Sequence, residues 1–258
     1  MRCLVLSAVA GVALSVGAVQ IGSAADMPVK APLSRSVAVY NWTGCFVGVA
    51  GGGAWGRSRH VSGDVATFGL DISNNYNMSG GIVGIEYGCN WQTGRWVLGT
   101  ESDFSWTNLR GGANNIAPFN TTSISNTREH WLSTSRIRVG VLPSEQLLLY
   151  GTGGLATARV EMIVDATAVG GGIQSETATR WGWTAGGGAE YALGGGWSAK
   201  ADYLYVRLNS HQYFNPPPLG FAMRNNVPVN EHILRVGLNY KFINCVFLLG
   251  CGSVGARN

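Results

Sequence analysis

Between positions 43 and 242 apolar side chains recur at every second residue in eight segments, with polar or glycine-rich stretches between them. A period of two is that of a β-strand, whose successive side chains point to opposite faces. The segments are 43–55, 78–91, 95–107, 130–141, 147–158, 179–193, 197–206 and 232–242. In the second, Val83, Ile85, Tyr87, Cys89 and Trp91 share one face and Gly84, Glu86, Gly88 and Asn90 the other. In the eighth, Leu234, Val236, Leu238, Tyr240 and Phe242 oppose Arg235, Asn239 and Lys241. The fifth is so poor in polar residues that its phase cannot be read.

The connections alternate in length. Tight turns are expected at 92–94, 142–146 and 194–196, and long polar or glycine-rich loops at 57–77, 108–126, 159–178 and 207–230. Short turns at one rim and long loops at the other are the pattern of an outer-membrane barrel. An even strand number also returns both ends of the wall to one side. The reading is therefore all-β: an eight-stranded antiparallel up-and-down transmembrane β-barrel.

Charge sharpens this picture. The face opposite the apolar one carries Glu86, Glu101, Asp103, Glu190 and Asp202, and an equal number of cations: Arg136, Arg138, Lys200, Arg235 and Lys241. Facing lipid, each would cost kilocalories, so all ten are expected in the lumen. Eight strands enclose only enough space for side chains to fill, and the expected result is an ion-pair plug. Gly84, Gly88, Gly186 and Gly188 are expected to leave room for the long cationic stems. A low-conductance pore for small solutes is the alternative, followed by a soluble secreted barrel carrying a ligand inside.

Composition agrees with an unusual solvent. Only 12% of the 258 residues are charged, while 38 are glycine, nine tryptophan and nine tyrosine. A soluble domain carries about twice that share of charge. Residues 1–25 have the positive start, short apolar run and small-residue end (Gly22-Ser23-Ala24-Ala25) of a cleavable signal peptide. Residues 26–40 then read as a periplasmic leader, 41–242 as the barrel and 243–258 as a C-terminal tail. No later apolar run approaches the ~20 residues of a membrane helix. The net charge is +4, or +3 once Arg2 leaves with the signal, too weak to indicate nucleic acid.

Several stretches carry a resemblance. AADMPVKAP, YNWTGCFVGVAGGGAWG, GGIVGIEYGCNWQTGRWVLGTESDFSW, LLLYGTGGLA, WGWTAGGGAEYALGGGWSAKADYLYV and HILRVGLNYKF occur in this order. Together they resemble the small outer-membrane β-barrel proteins of alphaproteobacteria, relatives of the OmpA membrane domain. The resemblance covers nearly all the strands and few of the loops. It implies a bacterial outer-membrane location, contact with its lipid, and a role in envelope integrity or surface contact, porin-like in some members. It also implies that Tyr240 and Phe242 form the signal read by the barrel-assembly machinery. The chain departs from the family by continuing past Phe242 and by placing Cys45 and Cys89 where aromatics are preferred.

Other chemistry is thinly represented. No HExxH, P-loop or CxxC motif is present, so no metal and no cofactor is expected. His130 lies near Ser133 and Ser135, but no carboxylate is expected on that face to orient a base, and no catalytic residue is assigned. Tyr213, Phe214 and Phe221 concentrate aromatics in the fourth long loop, where an exposed apolar patch would contact an extracellular ligand or host surface; a loop packed on itself is the alternative. Cys45 and Cys89 lie 22 residues on either side of Thr67, the centre of the first hairpin. Opposed positions of antiparallel strands are close enough for a disulfide, and export supplies an oxidising compartment. Two unpaired thiols remain the alternative, as they do for Cys245 and Cys251 in the tail.

Overall fold

Eight long strands dominate the computed structural model, which describes residues 40–62, 69–170, 172–214 and 225–243. They are β1 (Gly44–Ser58), β2 (Tyr76–Thr93), β3 (Trp96–Thr107), β4 (Ile124–Ser144), β5 (Leu147–Asp165), β6 (Ile173–Gly194), β7 (Trp197–Leu208) and β8 (Val229–Ile243). Each pairs antiparallel with its sequence neighbour, and β8 returns to β1, from Lys241 opposite Phe46 to Val229 opposite Ser58. The sheet is closed. A closed sheet satisfies its backbone groups within the wall and leaves no free edge, which is what a strand protein needs in lipid. Past Asn108 and Leu109, the piece Arg110–Asn114 carries the path of β3 onward and pairs with β4. Among the described residues no helix is long and apolar enough to cross a membrane.

At one rim the strands are joined by two-residue turns, Gly94-Arg95, Glu145-Gln146 and Gly195-Gly196. Gly195 and Gly196 both hold positive φ, 60° and 86°. Two such residues in succession match the twist of a tight hairpin and favour glycine strongly. The opposite rim carries the longer connections. One of the four expected there is largely strand: β5 runs to Asp165 and β6 starts at Ile173. Alternation persists through that stretch, with Val160, Met162 and Val164 buried inside and Arg159 exposed outside. Polar residues on the outer face disguised it as a loop.

The two faces of the wall are inverted relative to a soluble protein. Val83 and Val236 are 61% and 67% exposed, whereas Arg138 and Arg235 are 1% and 2% exposed. The exposed apolar band belongs in lipid. Its ends are marked by aromatic contacts, Trp197 with Tyr240 towards the tight turns and Trp183 with Tyr205 towards the long loops, at 4.9 and 5.4 Å between ring centres. β5, unreadable in phase from sequence, turns its even-numbered residues inward, including Leu148, Tyr150, Ala156 and Ala158.

Three layers fill the interior. Nearest the tight turns, Trp42, Val97, Leu142, Leu148, Tyr150 and Ala192 form an apolar cap. The indole of Trp42 donates to the Glu145 carbonyl at 3.1 Å. An ionic layer follows. Beyond it lies a larger apolar cluster that includes Met78, Leu109, Leu132, Met162, Leu204 and Ile233.

Candidate functional site

The ionic layer is assembled from strands all around the wall. Glu101 Oε1 lies 2.5 Å from Arg136 Nη2 and 2.8 Å from Lys200 Nζ, and its Oε2 lies 3.1 Å from Arg138 Nη1. Asp103 takes Arg136 at 2.9 Å and Arg235 at 3.1 Å. Arg235 also grips Asp202 through Nε and Nη2, both at 3.1 Å. Glu190 receives Arg138 at 3.0 Å, Ser198 at 2.5 Å and Asn239 at 3.1 Å. Lys200 completes the set with Glu86 at 2.8 Å and Asp202 at 3.2 Å. All nine side chains are almost wholly shielded from water. Such a layer holds by complete pairing, because a buried charge that loses its partner is costly.

Lys241 does not join them. Its ammonium donates to the Asn41 carbonyl and sits 4.5 Å from the centre of the Tyr40 ring, at the mouth near the tight turns. Alternation carries Lys241 to the inward face, opposite buried Phe46, but it stands at the rim, where its ammonium reaches a carbonyl instead of the layer. Five carboxylates therefore meet four cations. The glycines that accommodate cationic stems also differ from those expected. A Cβ on Gly99 would lie 3.2 Å from Arg138 Cγ, and one on Gly237 3.4 Å from Lys200 Cε. A Cβ on Gly88 would instead meet the Phe46 ring at 2.7 Å, the ring on which the Arg138 guanidinium rests 4.8 Å from the centre.

Three buried ionisable residues were not foreseen. Glu129, Glu231 and Arg180 are 1%, 0% and 2% exposed and interact with one another beside the larger apolar cluster. Arg180 Nε donates to the Asn209 carbonyl at 3.0 Å. Their inward parity was available in the sequence, but each lies at or beyond a strand end drawn too short.

The loop residues expected at the surface are a correction. Tyr213 is fully buried and Phe214 is 3% exposed, both within the larger apolar cluster, and Tyr213 Oη donates to the Val160 carbonyl at 3.0 Å. Two adjacent aromatics gain more by covering that cluster than by facing water. Phe221 and the tail cysteines lie outside the described residues. His60, from the β1–β2 connection, is buried with Nε2 3.1 Å from both Tyr76 Oη and Thr127 Oγ1, and burial pushes its pKa down to about 3.

His130 does have a carboxylate near it, contrary to the sequence reading: Glu161 of β5 lies 3.0 Å from Nε2. A bulge between Glu129 and Trp131 turns His130 towards that strand. Ser133 donates to the Asp103 carbonyl and Ser135 shares a bond with Ser102, so both hydroxyls are engaged elsewhere. Cys45 and Cys89 are directly opposed across β1 and β2, with Cα atoms 4.0 Å apart and the sulfurs bonded. Tyr240 and Phe242 lie near the end of β8 on the lipid face.

A closed wall of eight antiparallel strands, apolar outside and ionic inside, with tight turns at one rim and long connections at the other, defines an outer-membrane β-barrel. Residues 12–242 match the outer membrane protein beta-barrel domain family, and the chain belongs to it. It is similar to the 31 kDa outer-membrane immunogenic protein of Brucella melitensis, 33% identical over 236 residues that cover 85% of this chain and 92% of that one. The 22 kDa outer membrane protein of Rhizobium leguminosarum is 28% identical over 179 residues, covering 67% of each. Among solved structures, OprG from Pseudomonas aeruginosa aligns over 78% of this chain and 98% of its own at 13% identity and a TM-score of 0.43, a likeness too slight to carry any inference. The protein is a surface outer-membrane barrel protein of a bacterial envelope, embedded in the lipid of that membrane.

Proposed function

We propose that this barrel is a closed structural and surface element of the outer membrane, with neither a transport path nor a catalytic site. One observation supports this above the rest: the interior is filled by an apolar cap, an ionic layer and a second apolar cluster in series. A solute would have to break buried ion pairs and enter two apolar layers. The low-conductance pore requires a continuous polar lining, and the two apolar layers interrupt it.

Catalysis is set aside on the placement of His130. It is oriented by Glu161, but Ser133 and Ser135 donate to other partners, so no activated nucleophile results. Insertion by the barrel-assembly machinery through Tyr240 and Phe242 is part of the proposal. So is a role for the long connections as the surface seen from outside. The immunogenic character named for the Brucella relative supports the last point. Swelling of liposomes carrying the folded protein, with small sugars and amino acids as solutes, tests the closed interior. The expected rate is that of protein-free liposomes, and size-dependent swelling would overturn the reading.

A further inference from the structure

The outward face beyond the loop-side aromatics is basic, and five of its arginines have no carboxylate partner among the described residues. Arg57, Arg110, Arg128, Arg159 and Arg207 are all exposed there. Arg57 and Arg207 each lie two residues past an aromatic, Trp55 and Tyr205, or roughly 7 Å along the strand. Acidic side chains are nearby but engaged: Glu161 with His130 at 3.0 Å, Asp71 with Arg59 at 3.2 Å, and Asp165 with Thr167 at the hairpin tip. None of the five arginines has a carboxylate partner among the described residues. The other rim is different. There Arg95 stands in a tight turn and Lys241 is turned onto Asn41.

Register makes the arrangement sharper. Arg110 is directly opposite Arg128, which on its other side faces Glu161, held by His130, and Arg57 and Arg207 flank Asn230 of β8 from its two neighbouring strands. Like charges directly opposed on adjacent strands repel and destabilise the sheet. Side by side, Arg110 and Arg128 also form the double fork of donors that a phosphate accepts bidentately, whereas Arg57 and Arg207, with β8 between them, bracket an anionic group from two sides. Beside Arg57 the wall has a groove of about 650 Å³ lined by Trp55, Arg57, Asn77, Tyr205, Asn230 and His232. The Trp55 and His232 rings are stacked there, 6.2 Å between centres. Flat apolar rings beside amide and guanidinium donors suit a sugar bearing a phosphate.

We infer that this rim binds the phosphorylated glycolipid headgroup of the surrounding outer leaflet, with Arg110–Arg128 and Arg57–Arg207 as two phosphate clamps. The occupant is a lipid because both clamps face outward at the upper edge of the apolar band, with the acyl region beginning immediately below them. Aromatic side chains hold the interface depth, and the arginines then read the anionic groups at that depth. The inference goes beyond a closed interior and does not depend on it.

Native mass spectrometry of the folded barrel in neutral detergent tests this, with bisphosphorylated lipid A and the same lipid stripped of both phosphates as probes. The phosphorylated form is expected to bind at least tenfold more tightly. R110Q/R128Q and R57Q/R207Q are each expected to lower that binding about tenfold, while R95Q at the other rim leaves it unchanged. Heat-modifiable mobility reports folding of each variant. In lipid-free detergent R110Q/R128Q is expected to melt no lower than wild type, since it removes a repulsion. Equal binding of the two lipids would overturn the inference, as would indifference to both double variants. Displacement by millimolar inorganic phosphate would also overturn it, by reassigning the arginines to a soluble anion.

Discussion

Lys200 Nζ and Glu101 Oε1 are 2.8 Å apart, although β7 and β3 have three strands between them whichever way the wall is followed. The pair spans the full width of the lumen. Arg235 and Asp103 make a second crossing at 3.1 Å, over β1 and β2. These crossings tie opposite walls together in a way that neighbouring-strand hydrogen bonds cannot. A charge removed from one of them leaves its partner buried and uncompensated.

Replacing Lys200 with Met is therefore expected to destabilise the barrel by about 3 kcal/mol or more, the usual cost of breaking a buried pair from one side. Glu86, Glu101 and Asp202 would all lose a cation. Replacing exposed Arg57 with Gln is expected to change stability by less than about 1 kcal/mol, in line with surface charges. Urea unfolding in lipid vesicles, followed by tryptophan fluorescence, measures both. Equal stability of Lys200→Met and wild type would mean that the layer is hydrated rather than buried.

Cys45 and Cys89 are expected to resist alkylation in the mature, unreduced protein. Alkylation after unfolding in reductant should add two labels on those residues. Closure of a loop of this length typically contributes roughly 2–4 kcal/mol, so the Cys45→Ser variant should unfold at lower urea in the absence of reductant. Labelling of both thiols without reductant would show that they are unpaired in the envelope.

The β1–β2 connection is expected to loosen in acid. Neutral His60 is buried, with its pKa lowered to about 3 against about 6.5 when unfolded. Between those values the unfolded connection binds the additional proton, so stability falls as pH drops below 6.5 and the loss is complete near 3. The slope is at most about 1.4 kcal/mol per pH unit. Protection factors of residues 69–76, taken against the intrinsic exchange rate at each pH, should fall through this window, and those of a His60→Gln variant should not. Protection factors that stay constant from pH 7 to 4 would contradict this.

Losing Phe242 is expected to impair insertion into the membrane, whereas removing residues 243–258 should leave it intact or improve it. Heat-modifiable mobility of the cellular protein separates inserted from uninserted chains. Failure of the truncated chain to insert would move the assembly signal into the tail.

Sequence made the wall legible because lipid imposes a period of two on every strand it touches. On every strand but β5 the outward residues could be phased from that constraint alone. The interior obeys no such uniform rule. Ala156, Ala158 and Val160 face inward on β5 yet are as apolar as the outward Leu149 and Leu155, so this strand offered no contrast to read. The second apolar cluster was missed for a related reason. Part of it is built from strand extensions, among them Val160, Met162 and Val164, where outward residues such as Arg128 and Arg159 are polar and the stretches pass for loops. Lys241 shows the limit of parity at a strand end: it faces inward opposite Phe46, yet at the rim it meets the Asn41 carbonyl and not the layer. His130 and Glu161 met because a bulge brought together residues of two strands, and no spacing within one strand reports that.

Single-channel recording in planar bilayers puts the closed interior to its most direct test. Folded wild-type protein, inserted and verified by protease protection, is expected to leave the bilayer silent or to give only rare, small events at moderate voltage. Lys200→Met, by unpairing the ionic layer, should increase their frequency. Steady, ion-selective conductance in the wild type would contradict a lumen filled by three packed layers and would return the barrel to the class of pores.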